Sequence, residues 1–100
     1  MAEVIWTERA INQLDEIAGY IALDKPDAAA RVVKQVFAKA GMLAITPMLR
    51  RPVPELPSPN YRMLWIRPCW VYYRVSGERR VILHVRRAER PFRIEDMAIE

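Results

Sequence analysis

The sequence has little of what a metal site or a disulfide framework requires. It contains one cysteine, Cys69, so neither a disulfide framework nor a cysteine metal site can form. It also contains one histidine, His84, which argues against a zinc site of the usual kind. We therefore expect neither a metal ion nor another cofactor.

Long apolar runs are missing as well. No segment approaches the roughly 20 apolar residues that are needed to span a bilayer. The N-terminal stretch MAEVIWTERA carries acidic residues and no long apolar run, unlike a signal peptide. At 100 residues, 52% of them hydrophobic, the chain is expected to form a single cytoplasmic domain over residues 1–100, without membrane contact.

Lysine is absent after Lys39, so arginine alone carries the basic charge of the second half. Residues 1–49 have five basic and six acidic residues, a net charge of −1, whereas residues 50–100 have eleven and six, a net charge of +5. Arginine presents a planar fork that suits carboxylates and phosphates. This bias predicts an anionic partner, either nucleic acid or an acidic protein surface, in preference to a merely solvated face.

The first half of the chain is typical of a strand followed by a helical hairpin. The apolar run Glu3–Trp6 predicts a strand, and Thr7 is a plausible helix N-cap. Apolar residues at three- and four-residue spacing then predict amphipathic helices over about 7–23 and 26–45. Within the first, we expect Gly19 to mark a close helix contact. Because only two or three residues join the helices, they must fold back on each other and bury their apolar stripes against a sheet.

Five prolines between residues 46 and 60 exclude a helix or a central strand there. One interpretation is a ligand for a proline-binding module. We favour the other, a stiff extended connection that returns the chain from the helices to the sheet.

Three strands are predicted over 61–67, 70–75 and 79–86, with a hairpin turn at Ser76-Gly77-Glu78. Alternation predicts one face that packs on the helices and an aromatic and cationic face that is open to water. The residues expected on the helix face are Val71, Tyr73, Val75, Val81, Leu83 and Val85. Those expected on the open face are Trp70, Tyr72, Arg74, Arg80, Ile82, His84 and Arg86. The predicted fold class is α+β, with an N-terminal strand and an α-helical hairpin packed on a mainly antiparallel four-stranded sheet.

Several phrases of the sequence carry a resemblance to a known family. They are, in order, Ala10…Leu14…Ile17…Tyr20-Ile21, Pro26…Ala28-Ala29, Leu43…Pro47, Arg62, Tyr72-Tyr73-Arg74-Val75 and Val81-Ile82-Leu83-His84-Val85 followed by Arg86-Arg87-Ala88-Glu89-Arg90. In this order, the chain resembles the RelE/ParE superfamily of type II toxins over nearly its whole length. The resemblance implies a β-α-α-β-β-β fold and a toxin.

Two modes of toxicity follow from the resemblance. Members similar to RelE cleave mRNA on the ribosome, which requires an activated nucleophile and a proton donor. The family usually supplies these with lysines and arginines and with a tyrosine or histidine near the C-terminus, but PFRIEDMAIE contains no Tyr, His or Lys. We assign no catalytic role to His84, which lies inside a predicted strand. The sequence therefore favours members similar to ParE, which are not enzymes and inhibit DNA gyrase by binding, with a RelE-like endonuclease as the alternative.

The resemblance also implies a ParD-like antitoxin that forms a hetero-oligomeric complex with the toxin. Its disordered, amphipathic tail is expected to wrap apolar grooves of the toxin. Candidate anchors for that tail are Trp6, Trp65 and Trp70, unless they are core residues. Candidate residues for binding the target are Arg62, Arg74, Arg86, Arg87 and Arg90, of which the last three could contact the antitoxin instead. Arg62, Arg74, Arg80 and Arg86 are expected on the open face.

A third hypothesis is a small, non-toxic nucleic-acid-binding domain. It would use the arginine face for phosphates and would stack bases on Trp70 and Tyr72. It predicts that binding to naked nucleic acid depends steeply on salt.

Overall fold

The computed structural model describes residues 2–45, 51–53 and 60–89 of the chain and has an α+β architecture. Its elements are β1 (Glu3–Trp6), α1 (Glu8–Ala22), α2 (Pro26–Gly41), a 3-10 turn (Met42–Ala44), β2 (Arg51–Pro52), β3 (Tyr61–Ile66), β4 (Cys69–Ser76) and β5 (Arg79–Arg87). Both predicted helices and all four predicted strands are present. The second helix ends at Gly41 and continues only as the 3-10 turn, short of the predicted Ile45.

The sheet has the strand order β1-β5-β4-β3-β2. Strand β1 pairs with β5 in parallel, and every other pair is antiparallel, which confirms the mainly antiparallel sheet. The sequence did not predict the two-residue strand β2, because Pro52 was interpreted as a strand breaker. Proline is tolerated at a sheet edge, and β2 lies at the edge. The rest of the proline-rich connection lies outside the described residues.

Thr7 joins β1 to α1 and fixes both to β5. Its side-chain oxygen accepts a hydrogen bond from the Ala10 N–H at 3.2 Å, which confirms the predicted N-cap. The same hydroxyl donates to the carbonyl oxygen of Ile82 at 2.7 Å, and the Thr7 backbone N–H donates to that oxygen at 3.1 Å. The first helix therefore starts directly against the last strand.

The main core lies between the helical hairpin and one face of the sheet. Both helices contribute their apolar stripes, and β3, β4 and β5 contribute the residues that face the hairpin. Its largest buried members are Leu14, Ile17, Val36, Leu43, Leu64, Ile66, Val71, Tyr73, Ile82 and Val85. Burial of each such side chain contributes roughly 1.5–3 kcal/mol relative to exposure, so this cluster accounts for most of the apolar stabilisation.

A β-bulge in β5 changes the predicted alternation. Tyr72 pairs with His84, but the next residue, Tyr73, pairs with Ile82, so Leu83 is the extra residue in β5. Ile82 therefore packs in the helix-side core, contrary to the prediction. Val81 and Leu83 were predicted on that side and instead lie on the second face of the sheet.

The second face of the sheet is largely apolar and buried, so the prediction of a water-exposed face was wrong. Its buried residues are Val53, Tyr61, Met63, Tyr72, Val81 and Leu83. The two residues that the bulge moves, Val81 and Leu83, supply part of this cluster. Val53, beside β2, supplies another part; the sequence predicted a stiff extended connection there and no core role for this residue.

Two glycines differ in whether the backbone requires a glycine at their position. Gly77, in the predicted hairpin turn, has φ +59, a conformation that side chains disfavour. Gly19 is exposed in α1, and a Cβ added there would meet nothing within 4 Å. The predicted close helix contact at Gly19 was therefore wrong.

We expect Gly19→Ala to raise the free energy of unfolding by about 1 kcal/mol, because alanine favours the helix and clashes with nothing. Gly77→Ala is the matched contrast and should lower it by about 1–2 kcal/mol, because of the positive φ. Urea denaturation of the two variants checks both signs. A destabilised Gly19→Ala variant would mean that α1 has a neighbour at this position.

Candidate functional site

Aromatic and arginine side chains meet where the β3–β4 turn lies beside the end of β5. We call this region the arginine end and define it by Tyr20, Trp65, Trp70, Arg86 and Arg87. In the β4–β5 pairing Trp70 is opposite Arg86, and Cys69 is opposite Arg87. The Ala88 N–H also donates to the Pro68 carbonyl oxygen at 3.0 Å, which fixes the exit of β5 to the turn.

Arg86 lies on the second face of the sheet, as predicted. Its Nε donates a hydrogen bond to the hydroxyl oxygen of Tyr72 at 2.9 Å, and its guanidinium carbon is 5.8 Å from the centre of that ring. Because the Tyr72 side chain is buried, the acceptor for Arg86 is fixed by packing. The buried Tyr72 ring cannot stack on a base, which corrects the stacking role that we expected for it.

Arg87 points to the helix side. Its guanidinium carbon lies 4.1 Å from the centre of the Tyr20 ring in α1, within the range of a cation–π interaction. Its Nε is 3.1 Å from a carboxylate oxygen of Glu89. The two consecutive arginines point to opposite faces of the sheet, as neighbours in a strand do, and each contacts a tyrosine on its own face.

The other predicted target residues do not join this region. Arg62 is opposite Tyr73 and so lies on the helix side, as does Arg80 opposite Val75, which corrects their expected place on the open face. Arg74 lies on the second face as predicted, opposite Tyr61. It is four residues along β4 from Trp70, or roughly 13 Å. Arg90 lies outside the described residues.

The three tryptophans lie on both sides of the sheet. Trp65 has 45% of its surface exposed and contacts Trp70, with ring centres 5.0 Å apart. This pair belongs to the second face, beside Arg86. Trp6 is on the helix side, half-buried against Phe37 with ring centres 4.7 Å apart. One groove therefore does not contain all three predicted anchors.

His84 is held in the fold by Gln13, a residue that sequence reasoning missed. The Gln13 side-chain oxygen accepts from the Val85 N–H at 2.8 Å, so its amide nitrogen faces the His84 Nδ1 at 3.0 Å. That nitrogen can only donate, so Nδ1 accepts and the ring proton is assigned to Nε2. His84 is 5% exposed and its ring packs edge-on against Tyr72. A polar residue at the margin of an apolar stripe was the only sequence signal for Gln13, and it is a common pattern.

Cys69 is buried beside the arginine end. Burial raises the pKa of its thiol from 9.0 to about 11; the Glu89 carboxylate adds to the rise, and the Arg87 guanidinium opposes it. The thiol is therefore protonated at neutral pH and is a poor nucleophile.

In the described part of the chain, no group of three or more His, Cys, Asp or Glu residues is placed to hold a metal ion. Among the same residues, no helix is long and apolar enough to cross a membrane.

Comparison with known proteins identifies the family. The family model described as the ParE toxin of the type II toxin-antitoxin system, parDE, matches residues 4–92. "Putative toxin Y4kP" of Sinorhizobium fredii is 41% identical over 73 residues, which are 73% of this chain and 75% of that protein. A solved structure described as "Chromosomal ParDE TA system from P. aeruginosa" aligns with a TM-score of 0.75 and 25% identity, covering 89% of this chain and 98% of that one.

These findings define first a class and then a family. A helical hairpin on a mainly antiparallel sheet, together with the structural match, places the chain among the type II toxins of the RelE/ParE superfamily. The family model that matches most of the chain and the relative that is 41% identical narrow this superfamily to one family. The chain belongs to the ParE toxin family.

We expect the Cys69 thiol of the folded protein to resist iodoacetamide at neutral pH. A pKa raised from 9.0 to about 11 lowers the thiolate fraction about a hundredfold, in addition to burial. The raised pKa also stabilises the fold fully below pH 9, and this contribution is lost as the pH rises towards 11. Iodoacetamide labelling with and without urea checks the protection of the thiol. Urea unfolding of the wild type and of Cys69→Ala at pH 8 and 10.5 checks the pH dependence of stability. Equal labelling rates with and without urea would contradict the burial.

Proposed function

We propose that this chain is a ParE-like toxin that inhibits DNA gyrase in the cytoplasm by binding to it and is neutralised by a ParD-like antitoxin. Membership of the ParE toxin family supports the toxin, and the similar solved structure is named for a ParDE system. The observation that carries the binding mode is the arginine end. An exposed Trp65, its neighbour Trp70 and an arginine with a fixed partner, Arg86, lie in one row across β3, β4 and β5 on the second face of the sheet.

Arginine and tryptophan are the residue types that most often dominate protein–protein binding energy. Arg86 loses less freedom on binding than an unrestrained arginine would, since Tyr72 already fixes its Nε. A basic surface of this kind also accelerates encounter with an acidic partner. The arginine end therefore suits recognition of a large anionic partner.

RNA cleavage is the alternative mechanism, and the placement of His84 argues against it. Although we assigned no catalytic role to His84 from the sequence, its imidazole is the group among the described residues whose chemistry would suit a proton donor or acceptor near neutral pH. Its Nδ1 is occupied by Gln13, and the ring is buried against Tyr72. A general acid or base must reach the proton that it transfers. Binding without catalysis is the simpler use of this surface.

We expect the purified toxin to inhibit gyrase supercoiling and Arg86→Ala to raise the half-inhibitory concentration about tenfold, as expected for loss of a binding hot spot. Arg79→Ala is the matched control. It removes the same charge from the opposite end of β5. There the Arg79 side chain is 67% exposed, and its ion pair with Glu3 is long, with 3.9 Å between its Nε and a Glu3 carboxylate oxygen. Urea unfolding of each variant separates lost binding from lost stability.

Three results would contradict this function. Cleavage of ribosome-bound mRNA with unaffected gyrase would favour the endonuclease. Salt-sensitive binding to naked nucleic acid, without an effect on gyrase, would favour the nucleic-acid-binding domain. Equal losses for Arg86→Ala and Arg79→Ala would mean that only total charge matters and that the arginine end is not the site.

We expect the antitoxin to use Trp65, the exposed member of the Trp65–Trp70 pair, so Trp65→Ala should weaken binding of the cognate antitoxin about tenfold. Trp6→Phe is the control, because Trp6 is packed against Phe37 on the other side of the sheet. Isothermal titration calorimetry measures the antitoxin affinity of both variants. A loss with Trp6→Phe alone would place the antitoxin on the helix side instead.

A further inference from the structure

The guanidinium of Arg87 lies between an aromatic ring and a carboxylate. The Tyr20 ring centre is 4.1 Å from its central carbon, and a Glu89 oxygen is 3.1 Å from its Nε. The Arg87 side chain is 14% exposed, whereas Tyr20 is 59% exposed and the Glu89 side chain 60% exposed. The partly covered cation is thus bordered by two groups that face solvent.

The two neighbours differ in how firmly they are held. Tyr20 belongs to the last turn of α1, and its backbone is fixed by the helix. Glu89 lies beyond the end of β5, in a turn, and its carboxylate is mostly in water. An ion pair with one exposed member contributes little to stability, so Glu89 can leave Arg87 at small cost. The ring, in contrast, keeps the guanidinium in place.

A guanidinium that is already oriented and partly desolvated binds a carboxylate or phosphate oxygen more strongly than a free arginine does. Glu89 shows that an anionic oxygen fits beside the Arg87 Nε. The position can therefore accept an equivalent oxygen from another molecule once Glu89 has moved away.

We propose that Arg87 is a receptor for an anionic group of the gyrase complex, oriented by the Tyr20 ring and occupied by Glu89 until that group displaces it. This inference rests on the proposed function and adds to it a positioning residue, Tyr20, and an internal competitor, Glu89. It also extends the target surface from the second face of the sheet around its end to α1.

The roles of Tyr20 and Glu89 predict opposite effects on affinity for gyrase. Tyr20→Leu removes the ring and should weaken binding about two- to fivefold, the range for an exposed cation–π pair. Tyr20→Phe retains the ring and should restore the affinity. Glu89→Gln removes the competing charge and should strengthen binding by up to about fivefold.

A double-mutant cycle tests whether both residues act through Arg87. In an Arg87→Ala background, Tyr20→Leu and Glu89→Gln should each have no further effect on affinity. A merely structural role of Tyr20 would persist in that background and would appear as a lower urea midpoint. Persistence of either effect without Arg87 overturns the proposal.

The Cys69 thiol gives a readout that does not depend on gyrase. The Glu89 carboxylate raises the pKa of this thiol and the Arg87 guanidinium lowers it. Glu89→Gln should therefore lower the pKa of Cys69 below about 11, measured from the pH dependence of thiol labelling. Cys69 is opposite Arg87 in the sheet, so an unchanged pKa would mean that the Glu89 carboxylate lies away from this pair of residues in solution and would overturn the proposal.

The source of the anionic oxygen is distinguished by measuring binding to gyrase with and without DNA. If Tyr20→Leu and Glu89→Gln change the affinity for gyrase without DNA, the anionic oxygen belongs to a carboxylate of gyrase. If they change it only when DNA is present, the oxygen belongs to a phosphate. If the wild-type toxin does not bind gyrase, the proposed function fails. If it binds and Arg86→Ala weakens binding, but the Tyr20 and Glu89 variants bind like the wild type, the inference alone fails.

Discussion

The structure depends on keeping the backbone of β5 hydrogen-bonded along its length. β4 pairs with β5 from Arg79 to Arg87 apart from the bulged Leu83, but the short β1 covers the other side only from Arg79 to Ile82. Beyond that point Thr7 binds the Ile82 carbonyl, and Gln13 accepts the Val85 N–H. Since an unsatisfied buried backbone group costs about as much as a lost hydrogen bond, α1 must run close to this edge. The position of the helical hairpin, and of Tyr20 at its end, follows from that constraint.

Local sequence signals predicted where the helices begin and where the β4–β5 hairpin turns. Thr7 as an N-cap, Pro26 at the start of α2 and Gly77 in the hairpin turn each act within a few residues, so the sequence alone identifies them. The edge strand β2 escaped prediction because two residues, one of them proline, carry no periodic pattern. The α+β class and the family followed from the order of the elements.

The candidate site was only partly predictable because its geometry is set between distant residues. A single bulge at Leu83 reverses the faces of the residues before it, and alternation cannot show where a bulge lies. The same is true of Gln13, which meets His84 and Val85 only because α1 lies along β5. Sequence reasoning named Arg86 and Arg87 as candidates but could not show that Tyr72 orients one and Tyr20 the other.

The parallel pairing of β1 with β5 has a consequence for biosynthesis. The hydrogen bond from Thr7 to Ile82 joins residues 75 positions apart, so the first strand has no partner until nearly the whole domain has been translated. Before that, the helical hairpin exposes the apolar stripe that the sheet will cover, and contacts of such long range form slowly. Arg86 and Arg87 belong to β5, which is the last of the described strands to leave the ribosome. The nascent chain therefore acquires its arginine end only after β5 has been translated, and a chain that stops before β5 has no such surface.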